Sequence, residues 1–338
     1  MPLIIDTDMS FDVDDVGAVC IAHALADLDE AKIIGIVYDS GYPEGVGAID
    51  SLNWWYGRPE VPLGAYKGPF GRNVSGQYVP NLARGFPNAI KDSSAVPGAA
   101  EAYRQMLSGA DNHSVVIAAI GFLTAMRELL LSPSDEISPL DGAALVALKV
   151  RKIVFQGGWY APLHPDGRTT FNWDCGGAGQ AWSPYRLEGC AGAAQYVVVH
   201  MPPTVQMIFS DIGDEIYHGG QLRSGCTPMS SPCRRAFLDH QWGYTSFGRQ
   251  SWDPLVVVAA VRGPEAVNMT EVDVGYHNRV DESGANFWTA PRSPADEARQ
   301  SQLALVGDAS DGWQQARADA TATLEQLLCS PPRLGPRT

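Results

Sequence analysis

The chain has 338 residues, 45% of them hydrophobic and 18% charged, and 38 acidic against 24 basic side chains give a formal charge of −14. That composition implies a sizeable core, while a surface this acidic repels nucleic acid and anionic membranes and disfavours a substrate with several phosphates. No stretch reaches the ~18 apolar residues a membrane-spanning helix needs, and the first residues lack the marks of a targeting peptide, so a cytoplasmic protein acting on a small neutral or cationic molecule is expected. Six cysteines without a CxxC pair read as free thiols in so long a chain. Cys226 and Cys233, in one Ser/Pro-rich loop, are the pair to check for a bridge.

In chain order, residues 3–7 read as a strand, 16–28 as a helix, 31–39 as a second strand and 47–57 as a second helix. Residues 58–95, rich in Gly, Pro and Asn, read as a long functional loop with short pieces of structure. A helix over 99–109, a continuous apolar strand over 114–121 and a helix over 122–132 follow. Strands are expected over 148–158, 195–201 and 204–211. In "DPLVVVAAVRG", residues 253–263, Asp253 is the expected N-cap of a helix with Pro254 in its first turn. β-like segments and a last helix, roughly 311–328, complete the pattern. Unbroken apolar strands alternating with helices predict an α/β fold with a mainly parallel central sheet covered on both faces, a Rossmann-like core. No repeat or linker divides the chain, so one domain over 1–330 with a loose tail over 331–338 is expected. Ligands of such sheets collect at the carboxyl ends of the strands.

There stands "LIIDTDMSFDVDD", residues 3–15, with five aspartates in ten positions. The amino end of a helix stabilises one or two carboxylates there, but five repel one another unless a hard cation such as Ca²⁺ or Mg²⁺ takes their oxygens. An EF-hand loop would need a glycine and a glutamate where Phe11 and Gly17 stand, so that motif fails. An apolar strand followed by D-x-D-x-S also resembles the start of haloacid-dehalogenase-like phosphatases. There Asp6 would be the nucleophile, Mg²⁺ the ion, and "VGDASD" at 306–311 a loose late acidic motif.

"DTDMSFDVDD" resembles the opening D-x-D-x-G-x-D-D of the nucleoside hydrolase family, with two extra residues and an additional Asp12 in the turn. "VVIAAIGFLTAM" (115–126), "IVFQGGWY" with "TFNWD" (153–174) and "WDPLVVVAAV" (252–261) resemble three later segments of that family, in its order. The likeness covers residues 3 to about 265. It implies a Ca²⁺ ion, with Mg²⁺ the less favoured alternative, held by Asp8, Asp15, the Ile120 carbonyl and Asp253. It also implies hydrolysis of the N-glycosidic bond of a nucleoside, Asp8 taking a proton from the attacking water as positive charge develops on the ribose. Asp14 and Asn172 would hold the sugar, and His164 falls where the family contacts the 5′-hydroxyl. Trp252, where some members carry a histidine, resembles purine-preferring members that stack the base, and Tyr78 is a candidate second stacking ring. Relatives form dimers or tetramers, so a homo-oligomer is implied. The acidic residue two before the sugar-binding asparagine is replaced by Thr170, and the asparagine after the second strand has no clear counterpart among Asp39, Ser40 and Tyr42. These departures leave open a non-catalytic relative that binds an ion and a riboside without turnover.

Overall fold

A computed structural model describes residues 1–70, 76–159, 168–174, 176, 190, 192–240, 248–307 and 312–335. The elements run β1 (Pro2–Thr7), α1 (Asp14–Asp27), β2 (Lys32–Tyr38), α2 (Gly45–Trp55), β3 (Leu63–Ala65), α3 (Tyr78–Gly85), α4 (Ala99–Ser108), β4 (Val115–Ala119), α5 (Thr124–Leu131), α6 (Gly142–Lys149) and β5 (Val150–Gln156). They continue with α7 (Ala193–His200), β6 (Gln206–Ser210), β7 (Tyr217–Gly219), α8 (Gly220–Ser224), α9 (Pro232–Asp239), β8 (Gly248–Gln250), α10 (Trp252–Arg262), β9 (Met269–Val272), β10 (His277–Val280), β11 (Asn286–Thr289), β12 (Gln300–Leu305) and α11 (Gly312–Leu328).

Eight strands form one sheet in the order β3-β2-β1-β4-β5-β6-β12-β9, parallel throughout except for β9, which runs against β12. The expected mainly parallel sheet is therefore present, and its inner strands are the unbroken apolar runs of the sequence: Val115–Ala119 is buried along its whole length. Two apolar clusters cover the sheet, one built with α1, α2, α10 and α11, the other with α4, α5 and α7. Helix α1 is buried at every position from Asp14 to Ala26, as a helix enclosed on all sides must be.

Several expectations are corrected. Of residues 195–201, read as a strand from their valines, 195–200 belong to α7 and Met201 is its C-cap. Ala193, Ala194, Val197 and Val198 face inward while Val199 is 64% exposed, a helical spacing that overrides β-branched propensity. The strand expected from 148 begins at Val150, because Lys149 ends α6. Within residues 58–95, by contrast, the expected short pieces of structure are present as β3 and α3. Ser251, not Asp253, occupies the N-cap of α10, which puts Trp252 and Asp253 in the first turn. The tail is tethered as far as it is described: the Arg333 amide donates to Asp27 at 2.9 Å and its guanidinium to Asp29 at 2.7 and 2.9 Å.

The cysteines depart most from expectation. Cys20 of α1 is bonded to Cys233 of α9, and Cys226 to Cys329 beyond α11. Cys190 is bonded as well, and no described cysteine is free. The proposed Cys226–Cys233 bridge fails because α9 turns Cys233 inward onto α1, where it is 1% exposed, while Cys226 meets the end of α11. The Cys20–Cys233 bond spans 213 residues, so replacing both cysteines by alanine should lower unfolding free energy by about 2–4 kcal/mol. Urea melts of oxidised protein check this, and an unchanged midpoint would mean that the bond does not form.

Candidate active site

The order β3-β2-β1-β4-β5-β6 reverses its direction of growth between β1 and β4, the position where sheets of this kind open a crevice at their carboxyl ends. The turn after β1, the first turn of α1 and the first turn of α10 meet there around a cavity of about 490 Å³, within the ~300–1,000 Å³ typical of small-molecule sites.

Six residues singled out from the sequence line this one cavity: Asp8, Asp14, Asp15, Asn172, Trp252 and Asp253. Asp14, Asp15 and Asp253 each offer a carboxylate oxygen within 4.8 Å of the others, and the Asp253 amide donates to Asp14 Oδ2 at 3.4 Å across 239 residues of chain. Asp14 rather than Asp8 completes this tight trio, with Asp8 beside it on the cavity wall. The Thr7 hydroxyl donates to Asp15 Oδ1. Asn172 Nδ2 donates to the Ile120 carbonyl at 2.8 Å, and the Ile120 amide to the Asp6 carbonyl at 2.7 Å, so both backbone groups of Ile120 are held. Tyr78 has another place. It is fully buried, its hydroxyl donates to the Asp12 carbonyl, and its ring meets His240 edge-on, so it supports the aspartate turn instead of lining the cavity. Phe11 and Phe171 supply aromatic surface to the cavity in its stead. His164 lies outside the described residues.

The electrostatics follow from burial. Asp8, Asp14, Asp15 and Asp253 are between 3% and 7% exposed. Burial first, and then mutual repulsion, drives Asp8, Asp14 and Asp253 well above the usual carboxylate range. Burial also pushes Asp15 up to about 7 despite the Thr7 hydrogen bond. The inserted Asp12 behaves oppositely. Burial works to raise it, but hydrogen bonds and charge from Arg249 outweigh that and hold it below its ordinary value. Arg249 Nε donates to Asp12 Oδ1 at 2.7 Å, its Nη2 to Oδ2, and the guanidinium stands 5.1 Å from the ring centroid of Trp252. The four remaining carboxylates have oxygen donors, burial and no cation of their own, which is the donor chemistry a hard divalent ion requires.

Asp6 is apart from this group. It is fully buried, does not line the cavity, and accepts from the Tyr103 hydroxyl at 2.5 Å. Burial raises it to about 6 and raises its neighbour Asp39 further. Asp39 accepts from the Leu123 amide at 3.1 Å, and a side chain on Gly121 would collide with the Asp39 carboxylate. An enclosed Asp6 cannot serve as a phosphatase nucleophile, and no lysine is among the described residues lining the cavity.

Gln156, Asp211, Asp214 and Arg249 also line the cavity and were missed by sequence reasoning. Gln156 had a signal, since it closes a strand before a Gly pair; its Oε1 is buried without a hydrogen-bond partner. Asp211 likewise follows a strand directly. Arg249 had none.

No protein-family model and no curated protein matches this sequence. Solved structures do. The purine-preferring ribonucleoside hydrolase from Gardnerella vaginalis superposes with a TM-score of 0.59 at 18% identity, over 97% of this chain and 99% of its own. An inosine-guanosine nucleoside hydrolase gives 0.64 at 18%, over 97% of each chain. The type III effector protein XopQ, complexed with adenosine diphosphate ribose, gives 0.63 at 15%, over 97% of this chain and 94% of its own. The chain thus has the nucleoside hydrolase fold. The likeness runs through the whole fold, including the C-terminal seventy residues that could not be matched from sequence.

The raised carboxylates set a pH dependence. Their protons are retained on folding above the pH at which the unfolded chain loses them, so the stability they contribute is fully present below about 3.8 and is lost as pH rises through about 7. Chelator-treated protein should therefore melt at falling temperatures between about pH 4 and 7. Asp14→Asn, by removing one repelling charge, should raise the melting temperature at pH 7.5. A flat profile, or a variant that melts lower in chelator, would contradict this account of the cluster.

Proposed function

We propose that the protein is a Ca²⁺-dependent nucleoside hydrolase, cleaving the N-glycosidic bond of a purine ribonucleoside to free base and ribose. The observation that carries this reading is the convergence of Asp14 and Asp15, at the start of α1, with Asp253, at the start of α10. The whole-chain likeness to two nucleoside hydrolases supports it. Asp8, Asp15, Asp253 and the Ile120 carbonyl would hold the ion, with Asp14 close enough to share in it or to bind a ribose hydroxyl. When bound, such an ion lowers the pKa of a water and fixes it against the sugar.

The chain's own residues would do the rest. Asp8 takes a proton from the attacking water. Buried carboxylates stabilise the positive charge that grows on the ribose more than they stabilise a neutral substrate. Asn172, already oriented by the Ile120 carbonyl, faces the sugar, and the unpartnered Gln156 Oε1 accepts from a sugar or base donor. Trp252, Phe11 and Phe171 give flat apolar surface for a purine.

A second reading is a riboside-binding protein without turnover. It is favoured by Thr170 standing where the family has its acidic sugar contact, by the want of a clear counterpart to the family's asparagine after the second strand, and by the equally complete likeness to XopQ with adenosine diphosphate ribose. On location, the disulfides favour an oxidising compartment over the reducing cytoplasm; no described helix is long and apolar enough to cross a membrane. Assembly as a homodimer or homotetramer is part of the proposal, and light scattering tests it.

Incubation with inosine, adenosine and uridine, read by release of reducing sugar, discriminates the readings. Turnover of the purine ribosides, lost in chelator and restored by Ca²⁺, is expected. Asp8→Ala should lower kcat by about 10²–10⁴-fold, and Trp252→Ala should weaken purine hydrolysis more than it weakens the ion. Tight ion and riboside binding with no sugar released would establish the second reading instead.

A further inference from the structure

Hydrolysis of a nucleoside has two electrostatic demands, and the acidic cluster meets only one. It stabilises the sugar as C1′ becomes positive, but the departing base takes the bond's electron pair and needs a proton. Where some nucleoside hydrolases carry a histidine before the late aspartate, this chain has Trp252, which has no transferable proton. The described histidines cannot substitute: none lines the cavity.

Asp211 does line it. It is the first residue after β6, whose Ser210 pairs with Gln156 of β5, another cavity residue. The loop that follows lies on the tryptophan. A side chain on Gly213 would stand 2.5 Å from Trp252 Cδ1, and the Gly213 carbonyl accepts from the Ser251 amide at 3.3 Å. A base placed against Trp252 is therefore a neighbour of this loop. Unlike Asp12, which is tied to Arg249, and Asp15, which is tied to Thr7, Asp211 has no hydrogen-bond or ion-pair partner among the described residues.

We propose that Asp211, in its carboxylic acid form, is the residue that protonates the leaving base. The proposal rests on the hydrolase reading above and assigns the half of the reaction that reading leaves without a residue. As the C1′–N9 bond breaks, its electron pair passes into the purine ring and the Asp211 hydroxyl proton moves to N7. The water oxygen bonds to C1′ and its proton goes to Asp8. Asp211 then regains a proton from solvent and Asp8 releases one, so the site returns to its starting state.

The surroundings favour the acid form. Burial, and then the charge of Asp214 in the same loop, raise Asp211 to about 7. Among the described residues, the other charged groups around the cavity are Asp253 of α10, Arg249 of β8, and Asp8, Asp12, Asp14 and Asp15 of the first turn and α1. Arg249, the one cation among these described lining residues, is engaged by Asp12. A general acid poised near neutrality donates most effectively there.

The test compares Asp211→Asn with wild type on two substrates. Inosine leaves as a base that needs a proton; p-nitrophenyl riboside leaves as a stable anion that does not. The ratio of kcat for inosine to kcat for p-nitrophenyl riboside should fall about 10²-fold or more in the variant, with KM for inosine little changed. The loss of wild-type inosine turnover as pH rises through about 7 should be absent from the variant's profile. Equal losses on both substrates would assign Asp211 a structural role and overturn the proposal, as would an unchanged inosine kcat. Wild-type protein that cleaves p-nitrophenyl riboside but not inosine would overturn the Asp211 role while leaving a hydrolase. Cleavage of neither would overturn the hydrolase reading itself.

Discussion

Buried carboxylates with no ion-pair partner among the described residues govern this structure. Asp8, Asp14, Asp15 and Asp253 are each at most 7% exposed, and removing a charge from water without a partner is costly enough that such groups ordinarily bind a proton or a metal. The fold imposes the crowding anyway, because the first turns of α1 and α10 meet at the same end of the sheet. Elsewhere in the region Asp12 is held by Arg249, Asp6 by Tyr103 and Asp39 by the Leu123 amide, although one oxygen of Asp6 and one of Asp39 stay buried without a hydrogen bond. What sets the central four apart is their convergence on one cavity, where the hydrogen bonds that Asp14 and Asp15 accept from the Asp253 amide and the Thr7 hydroxyl do not offset burial and repulsion.

The scaffold holds this arrangement through local constraints at the strand ends. Leu123 adopts a left-handed conformation, with φ of 65°, at the start of α5, a backbone state that a branched residue avoids unless its surroundings over-determine it. Its amide is bonded to Asp39 and the Thr124 hydroxyl donates to the Asp39 carbonyl at 3.0 Å, while Gly121 leaves room for the Asp39 carboxylate. The Gly-x-Leu-Thr turn is thus a bracket joining β2 to β4. Cys20–Cys233 fastens the helix that begins with Asp14 and Asp15 to α9 on its outer side. Repulsion that would loosen the turn is opposed by covalent and hydrogen-bonded ties outside it.

The sheet and most of the acidic cluster were legible because both are written locally. Inner parallel strands are continuous apolar runs, and the acids of the first loop fall within ten residues. Asp253 was recoverable only because a Trp-Asp-Pro helix start resembles a known segment. What was not legible depends on contacts distant in the chain. The valines at 197–199 carry strand propensity but sit on a helix that packs against α5 and β10. Six cysteines permit 15 pairings, and nothing in their spacing selects Cys20 with Cys233. Tyr78 shows the same limit: an aromatic residue in a loop-like segment suits a stacking surface, yet its ring is turned under the aspartate turn by its bond to Asp12.

The two residues inserted in that turn, which set this chain apart from the opening it resembles, now have a physical account. Phe11 gives the cavity a phenyl surface, and Asp12 reaches Arg249 across 237 residues. A guanidinium so near Asp14 would, if free, pair with it and cancel part of the cluster's negative field. Its charge does act on Asp14, lowering a pKa that burial and repulsion raise. Because Asp12 engages the guanidinium in two hydrogen bonds, Arg249 is held over Trp252 as a buttress and forms no ion pair with the central carboxylates. A bidentate carboxylate suits this task because it fixes the plane of the guanidinium as well as its position. The insertion thus brings a cation beside the aromatic wall of the cavity together with the anion that keeps it from the cluster.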